Sequence, residues 1–509
     1  MQQFTIVLLA VLVGALSTPC RAAADGLPTL EDLRAKIAAA AGTVPDPRFE
    51  QVRSTAFGVA GTQTTFHAGE DFRETDVSGP LVSAHGRYHH QAWHQNANGQ
   101  TVLEQPDPGR SAADTYVTTV SRVSAPFDAY VIARLNGARS GVKEYVDPTT
   151  YRIVRRDEIR PTETTVFTYD DFRTVAGYTT AWHWTRRDGH PENNGEYQIE
   201  TFVARPIAAD EIDVAPPRRA LVEFPPGKTS VELPVQMVQQ KFVVRVVING
   251  RGLDLVLDSG SAGITLEEGV VRQLGLTSVG RYSSALNAGR VDATTVVVPE
   301  MQVGDLRMHD VAVTTLPDPG EQVAGVKVVG LLGFDFIAEL GLRLDYEHGR
   351  VTAIHSDQPL VISEPGAIVL DIRLGKQVPF ADVTINGALG ERFIIDTGAA
   401  GSLMIADYFA RRYPTALVDR GGGGAGRFAQ FAGVGGAIDT RPYQLARVQL
   451  GSVTFADFVA YRVVERKSYE SSSDGFLGAQ LLRYFTVWLD YADSQIVLVP
   501  NADGRRAMH

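Results

Sequence analysis

Cysteine is almost missing from this chain: Cys20 is the only one in 509 residues. A disulfide framework is therefore excluded, and an oxidising compartment suits the chain without any bridge being needed. Surplus positive charge is missing too. Lys and Arg total 48 against 59 Asp and Glu, a net charge of -11, and no basic stripe stands out that would neutralise a phosphate backbone. Nucleic acid is excluded as a partner on that ground. Long apolar runs are scarce, and beyond residue 24 none approaches the ~20 residues that a spanning helix requires. A stable membrane span in the mature chain is not expected.

What is present is a globular composition, 44% hydrophobic and 21% charged, with 49 Gly and 26 Pro. At ~150 residues per domain the length suggests about three domains. The apolar stretch Phe4 to Leu16 precedes a small-residue tail ending Ala22-Ala23-Ala24, which reads as a secretory signal over 1–24. No Lys or Arg precedes the run, so an uncleaved anchor is the alternative. Pro19 beside Cys20 makes a poor lipid-attachment box. Export to a bacterial periplasm, or secretion, is the expectation.

The segment TLEDLRAKIAAAAG predicts a helix from about 30 to 44, with Thr29 and Asp32 at its start and Gly42 near its stop. Short segments rich in β-branched and aromatic residues follow, among them STAFGVAG, YVIARLN, YRIVRRDEIR and TVFTYDDF. Two Pro-Pro pairs between 206 and 228 favour extended backbone and mark a linker, placed at 216–224. The domains expected are an N-terminal β-rich unit over 25–215, lobes over 225–357 and 358–500, and a tail over 501–509.

The two lobes are copies. FVVRVVINGRGLDLVLDSGSAG aligns with PFADVTINGALGERFIIDTGAAG, which matches Asp258 to Asp396, 138 positions apart. Farther on, GLLGFDFIAELGLRLDYEHGRVTAI aligns with GFLGAQLLRYFTVWLDYADSQIVLV, and Gly330 meets Gly475 at a spacing of 145. Each copy runs from a strand through an Ile-Asn-Gly turn to a strand ending in Asp-Ser-Gly or Asp-Thr-Gly. An isolated ionised carboxylate at the end of an apolar strand is costly, so each aspartate needs a partner. The repeat supplies one.

With these motifs the chain resembles the aspartic proteases, and most closely the retropepsin-like aspartyl proteases of bacteria, here with two lobes fused in one polypeptide. The resemblance covers about 225–500. It implies a mainly β fold of duplicated acid-protease β-barrel lobes, preceded by a separate β-rich, α+β domain. That first domain is similar in its element order to the half-barrels of periplasmic lipoprotein carriers. It further implies an aspartic endopeptidase acting on peptide or protein, with Asp258 and Asp396 as the catalytic pair and no metal or cofactor. Both aspartates come from one chain, so dimerisation is not required for the active site.

Two carboxylates facing each other cannot both ionise cheaply, so they share a proton. The ionised one takes a proton from water and the protonated one hydrogen-bonds the carbonyl oxygen as it gains charge. Their carboxyls are expected within about 2.6–3.2 Å, or one water apart. By resemblance, Ser259 and Thr397 tie the two aspartate loops together, and Leu331-Leu332-Gly333 and Phe476-Leu477-Gly478 buttress them. Gly260 and Gly398 let the backbone turn tightly and bring its N–H groups to the carboxylates without a Cβ in the way, so an alanine there should crowd the site. Ser261 faces Ala399 in the alignment, so a hydroxyl bond to an outer carboxylate oxygen is expected on one side only.

Other readings stay open at this stage. The lobes could bind peptide without cleaving it, or the N-terminal domain could carry lipid or lipoprotein. The Asp-Tyr pairs at 345–346 and 490–491 read as turn acids before closing strands. The glycine run 421–424 with Gly426, and Tyr282 to Arg290 in the first lobe, are the candidate flaps. His85, His89, His90 and His94 lie on strand-like sequence with no evident carboxylate cluster, so no metal site is expected.

Overall fold

Strand-forming sequence and turn-forming punctuation dominate, and the protein is mainly β. The computed structural model describes residues 26–104, 116–136, 140–160, 163–286, 289–317, 322–323, 325–360, 362, 364–375, 377–417, 429–433, 436–463 and 473–507. The signal-like stretch over 1–24 and the glycine run at 421–426 lie outside the described residues. The chain divides into two units. One comprises 1–56, 62–72 and 114–212, and the other 57–61, 73–113 and 213–509.

The first unit opens with the helix Leu30–Ala41, started by Thr29, whose side chain accepts from Asp32 N, and stopped at Gly42, whose φ is 76°. A side-chain cap at one end and a left-handed glycine at the other are what the sequence supplied. Strands Arg48–Ala56, Gly195–Ala204, Tyr178–Arg187, Thr164–Val175, Ile153–Ile159, Ser140–Val146, Ala129–Asn136 and Val117–Val123 lie side by side in that order. Leu33 of the helix is buried with Ile132 and Val146, while Val52, Phe167, Trp184, Tyr197 and Phe202 form a second cluster.

In the second unit the two copies follow one circuit. In the first lobe Lys241–Ile248 turns at Asn249-Gly250, both with positive φ, into Arg251–Leu257. Asn-Gly suits this tight hairpin because both central positions need φ above zero. Arg251–Leu257 pairs in parallel with Gly330–Leu332, which pairs with Thr265–Glu267. That strand pairs in parallel with Leu306–Leu316, which pairs with Gly289–Val303, and the path returns to Lys241–Ile248. The second lobe repeats it through Val378–Ile385, Ala388–Ile395, Gly475–Leu477, Leu403–Ile405, Val453–Val463 and Gly436–Leu450.

A six-stranded sheet joins the lobes. At its middle Leu340–Asp345 runs antiparallel to Phe485–Asp490, with Arg343 opposite Trp488, residues that are 145 apart. Shifting by that spacing turns the pair Gly341 and Asp490 into Thr486 and Asp345, which is also a pair in the ladder. A ladder that maps onto itself under the repeat is the mark of a pseudo-twofold axis between the lobes. The stretch expected as a linker, 216–224, contains buried Leu221 and the strand Val222–Glu223, paired with Met308 and Arg307.

Candidate active site

Asp258 follows the strand Arg251–Leu257, and Asp396 follows Ala388–Ile395, so the repeat delivers one carboxylate from each lobe to the axis. Both are half-buried, and their carboxyls are hydrogen-bonded to each other. Burial raises both above the ordinary carboxylate range, and the neighbouring charge of Asp396 pushes Asp258 well above it. One proton is thus shared. Asp396 Oδ1 accepts from Gly398 N at 3.0 Å and Ala399 N at 2.8 Å, whereas Asp258 Oδ1 accepts from Gly260 N alone at 2.8 Å. Two donors against one favour the negative charge on Asp396 and the proton on Asp258. The buried Lys241 lowers both members of the pair.

Ser259 and Thr397 lace the loops across the axis. Ser259 N donates to Thr397 Oγ1 at 3.0 Å and Thr397 N to Ser259 Oγ at 3.0 Å. Each hydroxyl then donates onward, Ser259 Oγ to Ile395 O at 2.6 Å and Thr397 Oγ1 to Leu257 O at 2.8 Å. Four bonds therefore join the loops, each residue 1% exposed. Gly260 and Gly398 leave no room for a Cβ, as the sequence leads one to expect. A Cβ on Gly260 would lie 2.5 Å from Asp396 Cγ, and one on Gly398 would lie 2.4 Å from Asp258 Cγ. The missing side chain of one lobe is the space its partner's carboxylate occupies.

The buttress segments sit behind these loops. Asp258 N donates to Leu332 O at 3.0 Å and Asp396 N to Leu477 O at 2.9 Å, and both leucines are fully buried. Gly333 and Gly478 come so close to Ser261 O and Ala399 O that a Cβ would lie at 2.6 and 2.7 Å. One expectation needs correcting. Ser261 Oγ donates to Gly263 O at 2.8 Å, so its hydroxyl serves the turn and not the carboxylate. The asymmetry lies in the backbone N–H of Ala399 and favours Asp396.

The Asp-Tyr repeats divide their labour. Asp345 accepts from His348 N and Asp490 from Asp493 N, as turn acids do. The tyrosines beside them point inward. Tyr346 and Tyr491 are each 4% exposed, and neither hydroxyl has a hydrogen-bond partner among the described residues. Tyr346 meets Phe242 edge-on, and Tyr491 lies against Phe334. Burial raises both phenols, and the charges of the dyad, Asp396 for Tyr346 and both aspartates for Tyr491, raise them further. The sequence signal was the full repeat of Leu-Asp-Tyr at one spacing, which the turn reading of the acids masked.

The first-lobe flap candidate, Tyr282 to Arg290, falls on the hairpin of Ser278–Leu286 and Gly289–Val303. Its second-lobe counterpart is Ala429–Gly433 with Gly436–Leu450, just after the glycine run. Around the histidines, neighbouring strands bring Glu74 and Asp76 beside His85, with one ligand atom from each within 4.8 Å of the others. The carboxylates that sequence spacing did not join to the histidines are thus present, while His89 and His90 occupy a turn with positive φ.

The aspartyl protease family model matches residues 244–336 and 381–481, one stretch in each lobe and each containing its Asp-Ser/Thr-Gly motif. No curated protein matches the chain. Among solved structures the chain is similar to a LolA superfamily protein from Nitrosomonas europaea at 11% identity and a TM-score of 0.28, covering 37% of this chain and 98% of that one. A domain named for outer membrane lipoprotein sorting, from Vibrio parahaemolyticus, is similar at 8% identity and a TM-score of 0.25, covering 34% and 90%.

Proposed function

We propose that the duplicated region is an aspartic endopeptidase in which Asp258 and Asp396 hold and activate one water between barrel-like lobes. The family match gives aspartyl-protease-type hydrolysis at the level of the family. The observation that carries the residue-level reading is the hydrogen bond between two half-buried carboxylates on twofold-related, cross-laced loops. Such a pair costs stability wherever charge must be buried, and that cost is explained by a site that needs one acid and one base.

In this reading Asp396, supplied with two N–H donors, is the base, and Asp258 carries the proton. Water gives a proton to Asp396 as its oxygen bonds the peptide carbon. Asp258 donates toward the carbonyl oxygen as that oxygen gains charge. Collapse of the tetrahedral intermediate breaks the C–N bond, and the proton held on Asp396 passes to the departing nitrogen. Ser259 and Thr397 position the loops, and Leu332, Gly333, Leu477 and Gly478 support them from behind. The signal-like N-terminus supports export to a periplasm or secretion, with residues 25–215 as an accessory domain.

The test is cleavage of a mixed peptide library across acid and neutral pH, followed by titration with a non-cleavable peptide bearing a hydroxyl in place of the scissile carbonyl. Cleavage with one equivalent bound per chain is expected. Half an equivalent would mean that two chains build the site, and binding without cleavage by any preparation would replace catalysis with peptide capture.

A further inference from the structure

The second unit contains a turn that the duplicated sequence does not predict, 96–100, reading NANGQ, from the segment 73–113. Asn96 Oδ1 accepts from Asn98 N and Gln100 N, both at 3.0 Å, which fixes the turn internally. All three of its amide side chains then reach the first lobe. Asn96 Nδ2 donates to Asp335 Oδ1 at 3.0 Å, and Gln100 Nε2 donates to Asp335 O at 2.9 Å and to Glu339 Oε1 at 2.8 Å. Asn98 pairs with the backbone of Ala312, donating to its O at 3.0 Å and accepting from its N at 2.7 Å. The stretch 215–221 closes over it: Arg218 bonds Ala97 O and Gly99 O, and Leu221 N donates to Glu339 Oε2.

Asp335 is the third residue of the Gly333-Phe334-Asp335 segment, directly behind the Asp258 loop. It is 5% exposed, and its Oδ2 accepts from Ile264 N at 2.9 Å. Gly263 permits the approach, since a Cβ there would lie 2.8 Å from that oxygen. Phe334 N holds Ser261 O at 3.0 Å, and Ser261 N donates to Asp258 O at 3.2 Å. One carboxylate thus takes the turn on one oxygen and the end of the catalytic loop on the other. Its counterpart in the second lobe is Gln480, which is exposed.

We infer that the Asn96–Gln100 turn positions the Asp258 loop through Asp335, so that the first lobe's half of the dyad depends on a segment far outside the duplicated region. Asn96, Gln100 and Asp335 are positioning residues; none of them touches the reacting atoms. The inference rests on the protease reading for its kinetic readout, but the loop itself can be followed without catalysis.

The experiment uses the full chain carrying Asn96→Ala, Gln100→Ala, Asp335→Asn or the exchange pair Asn96→Asp with Asp335→Asn. Hydrogen exchange should rise several-fold across 258–264 in each single variant and stay unchanged across 396–402. In cleavage assays kcat should fall about tenfold with KM little altered, as expected when reacting groups are misplaced but substrate is still bound. The amide that Asp335→Asn introduces would face Asn96 donor to donor if it kept its bond from Ile264 N. In the exchange pair that amide donates to the new carboxylate and still accepts from Ile264 N. The pair should therefore recover part of kcat. Unchanged exchange at 258–264, or wild-type kcat in all three single variants, overturns the inference. If the wild type cleaves no peptide the protease reading fails by itself, and the exchange measurement alone decides this one.

Discussion

The two lobes follow the same circuit of strands and deliver equivalent loops to one axis, yet they anchor those loops differently. In the second lobe the backbone does the anchoring: Ala479 N donates to Ala399 O at 2.8 Å and Gly478 N to Ser402 O at 2.9 Å. The first lobe adds a buried carboxylate, Asp335, and through it the turn at 96–100. The second lobe places its own buried acid elsewhere. Asp474 is 0% exposed, accepts from Arg392 N at 3.1 Å and lies 3.5 Å from Arg412, at the position where the first lobe has Val329. Features that both aspartates need are kept in both copies, and the copies diverge where each meets different neighbours.

The comparison breaks first if the aspartates are unequal in effect. Asp258→Asn and Asp396→Asn should each abolish peptide hydrolysis, by roughly 10⁴-fold or more, and the double variant should be scarcely worse because the pair acts as a unit. Asn is nearly isosteric but can neither take the water's proton nor share one. Circular dichroism should show all three folded, and a single variant that retained wild-type rates would remove that residue from the pair.

Next in size is the lacing of the loops. Ser259→Ala leaves Thr397 N and Ile395 O without their bonds, and Thr397→Ala does the same to Ser259 N and Leu257 O. At about 1–3 kcal/mol for each of the two buried groups left unmade, either variant should lose roughly 2–6 kcal/mol. Denaturant unfolding should show the two losses equal to within about 1 kcal/mol. A large inequality would mean that the symmetric geometry is not matched by symmetric energetics.

The anchors should differ where the dyad does not. Burial, reinforced by the charge of Glu339, raises the Asp335 carboxyl to about 6, with the Ile264 N–H and the Asn98 amide opposing. Its pKa is higher folded than unfolded, so its contribution is fully present below about 3.8 and is lost as pH rises through about 6. Asp258 and Asp396 are shifted in the same direction. Asp335→Asn should therefore flatten the fall in stability between those pH values by about 3 kcal/mol, since two pKa units correspond to that much. Gln480→Ala, on an exposed side chain, should change stability by less than about 0.5 kcal/mol at any pH. Urea unfolding at several pH values measures both.

How far all this could be read from the sequence depends on distance along the chain. The aspartates, hydroxyls and glycines are consecutive in each copy, the leucines behind them follow 74 and 81 positions later in the same order, and duplication doubled both signals. Asn96 and Asp335 are separated by 239 positions, and no period or spacing relates an Asn-Ala-Asn-Gly turn to a protease lobe. Ser261 escapes a reading by alignment because a hydroxyl's partner depends on the turn it sits in, and Gly263 O is nearer to hand. The Asp-Tyr acids are legible as turn residues, but the direction of each tyrosine is set by the sheet between the lobes.

The smallest expected effect concerns those tyrosines, and it tests whether the axis is as symmetric below the dyad as at it. Tyr346 and Tyr491 occupy equivalent positions, each nearly fully buried, and each hydroxyl lacks a partner among the described residues. A buried hydroxyl without a bond carries a desolvation cost that Phe does not. The ring contacts with Phe242 and Phe334 remain after substitution, because Phe keeps the shape of Tyr apart from one oxygen. Tyr346→Phe and Tyr491→Phe should accordingly leave stability unchanged or raise it, by up to about 1 kcal/mol each, and by similar amounts. Thermal unfolding of the two variants and their double measures this. A loss of more than about 1 kcal/mol from one variant alone would show that its hydroxyl holds a bond its twin does not make, and would place a further asymmetry beside the aspartate pair.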